Sequence, residues 1–117
     1  MRYAFLLYYD ESASPEPGSP ELDERVAAYG RFTEEVTTSG AYEAGEALQA
    51  TATATVVTAG SNGSPVTTDG PYAETKEQLG GFYILDCENL DQAVELAAKI
   101  PAASHGHVEV RPIWDVR

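Results

Sequence analysis

Two stretches of this chain gather the residue types that move protons or hold ligands. The first is TDGPYAETKEQLGGFY, Thr68 to Tyr83, which sets Asp69, Glu74, Lys76 and Glu77 around an Asp-Gly-Pro turn. A carboxylate beside a lysine can be tuned toward neutral proton affinity where a partly closed cleft desolvates the two, so Glu74 and Lys76 are candidate general acids or bases. The competing explanation is an exposed turn whose charges pair at the surface for little energy. Asp69 is a candidate ligand contact, against the common alternative that Asp in such a turn bonds its own backbone. The second stretch is HVEVRP, where period-two geometry puts His107, Glu109 and Arg111 on one face of a strand. There His107 is a further acid/base candidate, Arg111 an anchor for an anionic group by bidentate contact, and Glu109 a neighbouring ligand contact. The structural alternative is a salt-bridge ladder between Glu109 and Arg111.

The remaining chemistry is sparse. His105 and His107 stand two apart in HGH, but two nitrogen ligands without a third make a poor metal site, so no metal is expected. Cys87, the single cysteine, has no histidine near it in sequence and reads as a buried small hydrophobe. Gly80 and Gly81 precede a strand and not a helix, which suits a bulge or a close backbone approach better than phosphate binding. Among Tyr8, Tyr29, Tyr42, Tyr72 and Tyr83, aromatic residues at strand and helix spacing usually build the core. Tyr29 and Tyr72 are nonetheless assigned here to ligand contact. No cofactor is expected.

These groups need elements to hold them. RYAFLLYY, residues 2 to 9, is apolar on both alternating faces and reads as a central strand. DESASPEPGSPE has three prolines and no apolar period, so it is expected to be a solvent-exposed, mobile loop. Leu22, Val26, Tyr29, Phe32 and Val36 recur at helical spacing from Glu21, with Gly40 as the stop. TATATVVTA alternates as a half-buried strand through Ala52, Ala54 and Val56, GSNGS makes a hairpin connection, and PVTT returns. GFYILDC is a second two-sided strand. Asn89 caps a second helix with Gln92 completing a capping box; Leu90, Ala93, Val94, Ala97 and Ile100 form its expected buried stripe, and Pro101 stops it. HVEVRPIW closes the sheet.

This order fits one domain over residues 1–117, an α+β, ferredoxin-like antiparallel sheet with two helices on one face. The uncovered sheet face would then be apolar, which predicts a homodimer with two sheets packed face to face. A formal charge of −12 repels phosphate backbones and argues against nucleic-acid binding, while leaving room for a basic protein partner. No apolar run approaches the roughly 20 residues of a membrane helix, the first apolar run is too short for a signal-peptide core, and one cysteine suits a reducing cytoplasm.

The run TDGPYAETKEQLGGFYILDCENLDQAVELAAKIPA and the closing VEVRPI resemble the DGPF-type branch of the YCII-related proteins, and the likeness extends to MRYAFLLYYDE and to the passage from GEALQ to TATATVV. Tyr72 stands where the tetrapeptide carries phenylalanine, keeping the ring and adding a hydroxyl. The resemblance implies a ferredoxin-like fold assembled as a dimeric α+β barrel. Many members of the wider group share a histidine on the first helix and an aspartate shortly after it, a pair suited to proton transfer. Lined up through Gly40, that histidine position falls at or near Tyr29, and Glu43 and Glu46 are the carboxylates nearest the aspartate position. The histidine-aspartate mechanism is therefore not implied for this chain. Genes of the branch often neighbour those of extracytoplasmic-function sigma factors. Two expectations follow: a homodimer holding a small organic molecule in a cleft between the sheet and the DGP loop for cofactor-free acid/base chemistry, or a non-catalytic regulatory or interaction module acting with a sigma factor.

Overall fold

A computed structural model describes residues 1–116. The first strand, β1 (Arg2–Tyr9), leads through a one-turn 3-10 segment into α1 (Pro20–Thr38). There Ser19 Oγ accepts a hydrogen bond from the Leu22 amide at 3.1 Å, and Pro20 occupies the first helical turn, where a missing N–H costs nothing. The helix ends at Gly40, whose φ of +83° is easy only for glycine, and Ala41 donates back to the Val36 carbonyl at 2.9 Å. Strand β2 (Tyr42–Ala47) follows, then β3 (Thr55–Ala59), β4 (Pro65–Asp69), β5 (Gln78–Asp86), α2 (Leu90–Lys99), the single-turn α3 (Ala102–His105) and β6 (Gly106–Pro112).

Four strands form one sheet in the order β2-β5-β1-β6, each pair antiparallel, which is the ferredoxin-like arrangement. Tyr3, Phe5 and Leu7 of β1 and Tyr83 and Leu85 of β5 point to the helical side. There they meet Phe32 and Val36 of α1 and Ala93, Ala97 and Ile100 of α2 in one buried core. Period-two alternation sends Ala4, Leu6 and Tyr8 of β1 and Phe82 and Ile84 of β5 to the other side, where they remain only half-buried.

Three expectations are corrected. The sheet strand read in TATATVVTA begins only at Thr55, because residues 51–53 turn in a 3-10 segment, and β3 pairs with β4 alone in a separate two-stranded hairpin. The sheet edge comes from YEAGEA instead, a sequence of small and acidic residues with weak strand propensity that pairing with β5 overrides. On α2, Leu90 and Val94 are 53% and 54% exposed; the ridge facing the sheet is Ala93, Leu96, Ala97 and Ile100, and its alanines let the helix approach closely. On α1, Val26 is 62% exposed, because the first half of that helix stands over a cavity rather than over packed side chains.

The capping box at Asn89 forms with a small shift: Asn89 Oδ1 accepts from the Gln92 amide at 2.9 Å, while Gln92 Oε1 reaches back to the Glu88 amide at 2.6 Å. The phase of α2 is testable by truncation. Ile100→Ala should lower unfolding free energy by about 3 kcal/mol, and Leu90→Ala or Val94→Ala by less than about 1 kcal/mol, as read from urea midpoints at constant slope.

Candidate functional site

The cavity beneath the first half of α1 has a volume of about 390 Å³ and a mostly apolar lining. Its floor is the helical side of β2 and β5, where glycines stand at three positions that side chains would otherwise fill. A Cβ on Gly45 would lie 2.7 Å from the Tyr83 ring, and one on Gly81 would lie 2.8 Å from the Glu46 carbonyl oxygen. Gly80 is the extra residue of a β-bulge, since Leu7 pairs with Gly81 and Tyr8 with Leu79. The Tyr9 ring takes the space a Gly80 side chain would need, 2.2 Å from the would-be Cβ. The walls are Leu22, Arg25, Val26, Tyr29 and Thr33 of α1, Tyr42 of β2 and His105 of α3. Ser14 and Pro15 of the proline-rich loop close one side. That loop is tied down at its start: Glu11 accepts from the Thr51 amide at 2.9 Å and from its hydroxyl at 2.8 Å, and Gln78 Oε1 accepts from the Glu11 amide.

The polar groups of the cavity lie close enough to perturb one another. Burial, and then the neighbouring Tyr9 and Tyr83, push the Tyr29 phenol up to about 12, against the opposing pull of Arg25 and of main-chain hydrogen bonding at Ala102. Tyr83 is also pushed up, mainly by burial, while its hydroxyl shares a 2.9 Å hydrogen bond with Thr33. Burial and the charge of Arg25 hold His105 below the usual histidine range, so its neutral form is favoured. Its ring packs against Tyr9 with centroids 5.6 Å apart. His105 Nε2 is buried and has no hydrogen-bond partner among the described residues. The cavity can therefore offer a neutral imidazole nitrogen, two protonated phenols and a guanidinium against an apolar wall.

The YCII-related domain model matches residues 1–117 of the chain. The chain belongs to the YCII-related family. It is similar to an uncharacterised protein from Rhizobium meliloti (strain 1021), 42% identical over 119 residues that span 97% of this chain and 92% of the relative. In this YCII-related protein, Tyr29, the first-helix position singled out above, is on the cavity wall. Glu46 borders the cavity as well, but it pairs with Phe82, so strand alternation projects its side chain from the opposite side of the sheet.

The other residues chosen from sequence lie elsewhere. His107 Nδ1 is 2.7 Å from Glu77 Oε1 and the His107 side chain is well exposed, while Arg111 donates to Glu109 Oε2 at 3.0 Å; both pairs sit on the open side of β6. Asp69 ends β4 opposite Thr55, and Gly70 turns the chain with φ of +92° and donates to the Ala54 carbonyl. Tyr72 is 90% exposed, and Glu74 and Lys76 are exposed in the loop that follows. None of these reaches the cavity of this YCII-related protein. His105 diverges from His107, and among the described residues no three metal-ligating side chains come together. The residues that sequence reasoning missed are Arg25, Tyr9 and His105. Arg25 was signalled by its place four residues before Tyr29, on the same helical face.

The Tyr29 environment makes a spectroscopic prediction. A phenol whose folded-state value is raised keeps its proton where the unfolded chain loses it, so stability should fall as pH rises from 10 toward 12. Ultraviolet titration should show a late-ionising tyrosine near pH 12 that Tyr29→Phe removes.

Proposed function

We propose that the protein binds a small organic molecule in the cavity between α1 and the glycine floor of the sheet. The observation that carries this reading is the cavity itself, held open by a glycine floor that admits no side chain and lined by Arg25, Tyr29 and His105. His105 Nε2 is buried without a partner among the described residues, which costs about 1–3 kcal/mol and marks this wall as a place where polar groups are not fully satisfied. The volume falls within the range of small-molecule sites. An imidazole and a protonated phenol on one apolar wall suit cofactor-free acid/base chemistry, with His105 exchanging a proton with the bound molecule and Tyr29 donating to the oxygen that gains charge. Isomerisation, hydration and elimination are reactions of that class.

The protein is further proposed to act as a homodimer through the open side of its sheet. Leu6, Tyr8, Phe82 and Ile84 form a half-buried apolar strip there that a second copy would cover. Light scattering at micromolar concentration should give twice 12.5 kDa, and Leu6→Glu should halve that mass. A wild type that is already monomeric would remove the dimer.

The 2.7 Å pair of His107 and Glu77 favours a second reading. A face-to-face dimer would enclose His107, Glu109 and Arg111 in the cleft between sheets, with Glu74 and Lys76 as acid/base groups and Asp69 and Tyr72 arriving on the DGP loop. One comparison separates the two sites. With any metabolite that raises the melting temperature, Val26→Trp, which fills the cavity mouth from an exposed helical position, should abolish the shift, while His107→Gln and Glu74→Gln should retain it. The reverse pattern would assign the chemistry to the open face.

A further inference from the structure

The cavity's side chains differ in charge from the rest of the molecule. With 19 acidic and 7 basic residues, carboxylates are abundant everywhere on the chain. Arg2, Arg31, Lys99 and Arg111 each hold one at 2.8–3.2 Å. Arg25, which lines the cavity, forms no ion pair among the described residues. Among the described residues no carboxylate side chain projects into the cavity: Glu46 is the one acidic residue of that set on its border, and its side chain leaves from the opposite side of the sheet. Glu77 comes near enough to favour the charged form of His105, but it is held by His107 outside the lining.

Resting on the proposed cavity function, we infer that the ligand is a small acid with an apolar or aromatic body, its carboxylate received between Arg25 and His105. The guanidinium supplies parallel donors that match a carboxylate edge. His105, whose Nε2 is buried without a partner among the described residues, becomes a second donor once it takes up a proton and its ring turns toward the anion. Tyr9, whose ring packs on His105, and Tyr29 line the same cavity, and Arg25 itself opposes the protonation until an anion neutralises it. The ligand's body then lies against Leu22, Tyr42 and the glycine floor, where the wall is apolar. Binding should therefore take up a fraction of a proton near neutral pH and weaken as pH rises, because the bound anion favours the imidazolium.

The test is an NMR titration of the uniformly 15N-labelled protein with two matched series: benzoate, phenylacetate and 3-phenylpropanoate, and their primary amides. The best acid should bind at least about tenfold more tightly than its amide, with shifts centred on Arg25, Tyr29 and His105. Arg25→Gln should reduce acid affinity about tenfold and leave amide affinity within about twofold, and Arg25→Lys should recover part of the loss. Acids and amides that bind equally well at these resonances would overturn the acid while leaving the cavity as the site. If neither series moves the cavity resonances, the cavity reading itself falls and the acid with it.

Discussion

The structure depends on side chains that are absent. Along the helical side of β2 and β5, Gly45, Gly80 and Gly81 leave the sheet bare where neighbouring positions carry tyrosine or leucine, and each is held to glycine by a different neighbour: the Tyr83 ring, the Tyr9 ring and the Glu46 carbonyl. The bulge at Gly80 turns Tyr9 across the strand so that its ring covers the gap. A helix laid over such a floor cannot collapse onto it, because its own packing is fixed farther along by Phe32 and Val36. The empty volume under Leu22, Arg25 and Val26 follows from that geometry.

The same geometry decides which charges the cavity sees. Edge strand β2 mixes small and acidic residues, and its register with β5 past the irregularity at Glu43 sends Glu46 away from the helices and Gly45 and Ala47 toward them. A one-residue slip would reverse this and face Glu46 into the cavity beside Arg25. Pairing Gly45 with Tyr83, where no larger residue fits, therefore holds an electrostatic arrangement as well as a packing one. Local positive character within a chain of charge −12 is a product of register, and composition does not reveal it.

Much of the fold was legible in sequence. The two-sided apolar strands, the caps at Gly40 and Asn89 and the α+β order all rest on local signals of capping and periodicity. The reading of Gly80 and Gly81 as a bulge with a close approach holds too. The cavity was less legible, because its parts announce themselves only after folding. Val26 obeys the helical period yet covers empty space, and YEAGEA lacks the apolar alternation that marks a strand. His105 is placed by a single helical turn that Pro101 begins, although the same proline reads in sequence as a stop. Residues rich in apparent chemistry, Glu74 and Lys76, drew notice by type, whereas their distance from the cavity is a matter of chain path.

The β3-β4 hairpin stands apart from the sheet that holds the cavity. It pairs with no strand of the main sheet, and most of its residues are exposed. The chain's radius of gyration is 16.3 Å, where a compact chain of this length would have about 13 Å. A two-stranded ribbon without a packed face is marginal by itself. Its amide protons should therefore exchange with solvent through local opening, at rates insensitive to mutations that change global stability, while those of β1 and β5 wait for the whole domain to unfold. The ribbon thus adds little to the cooperative stability of the body that carries it.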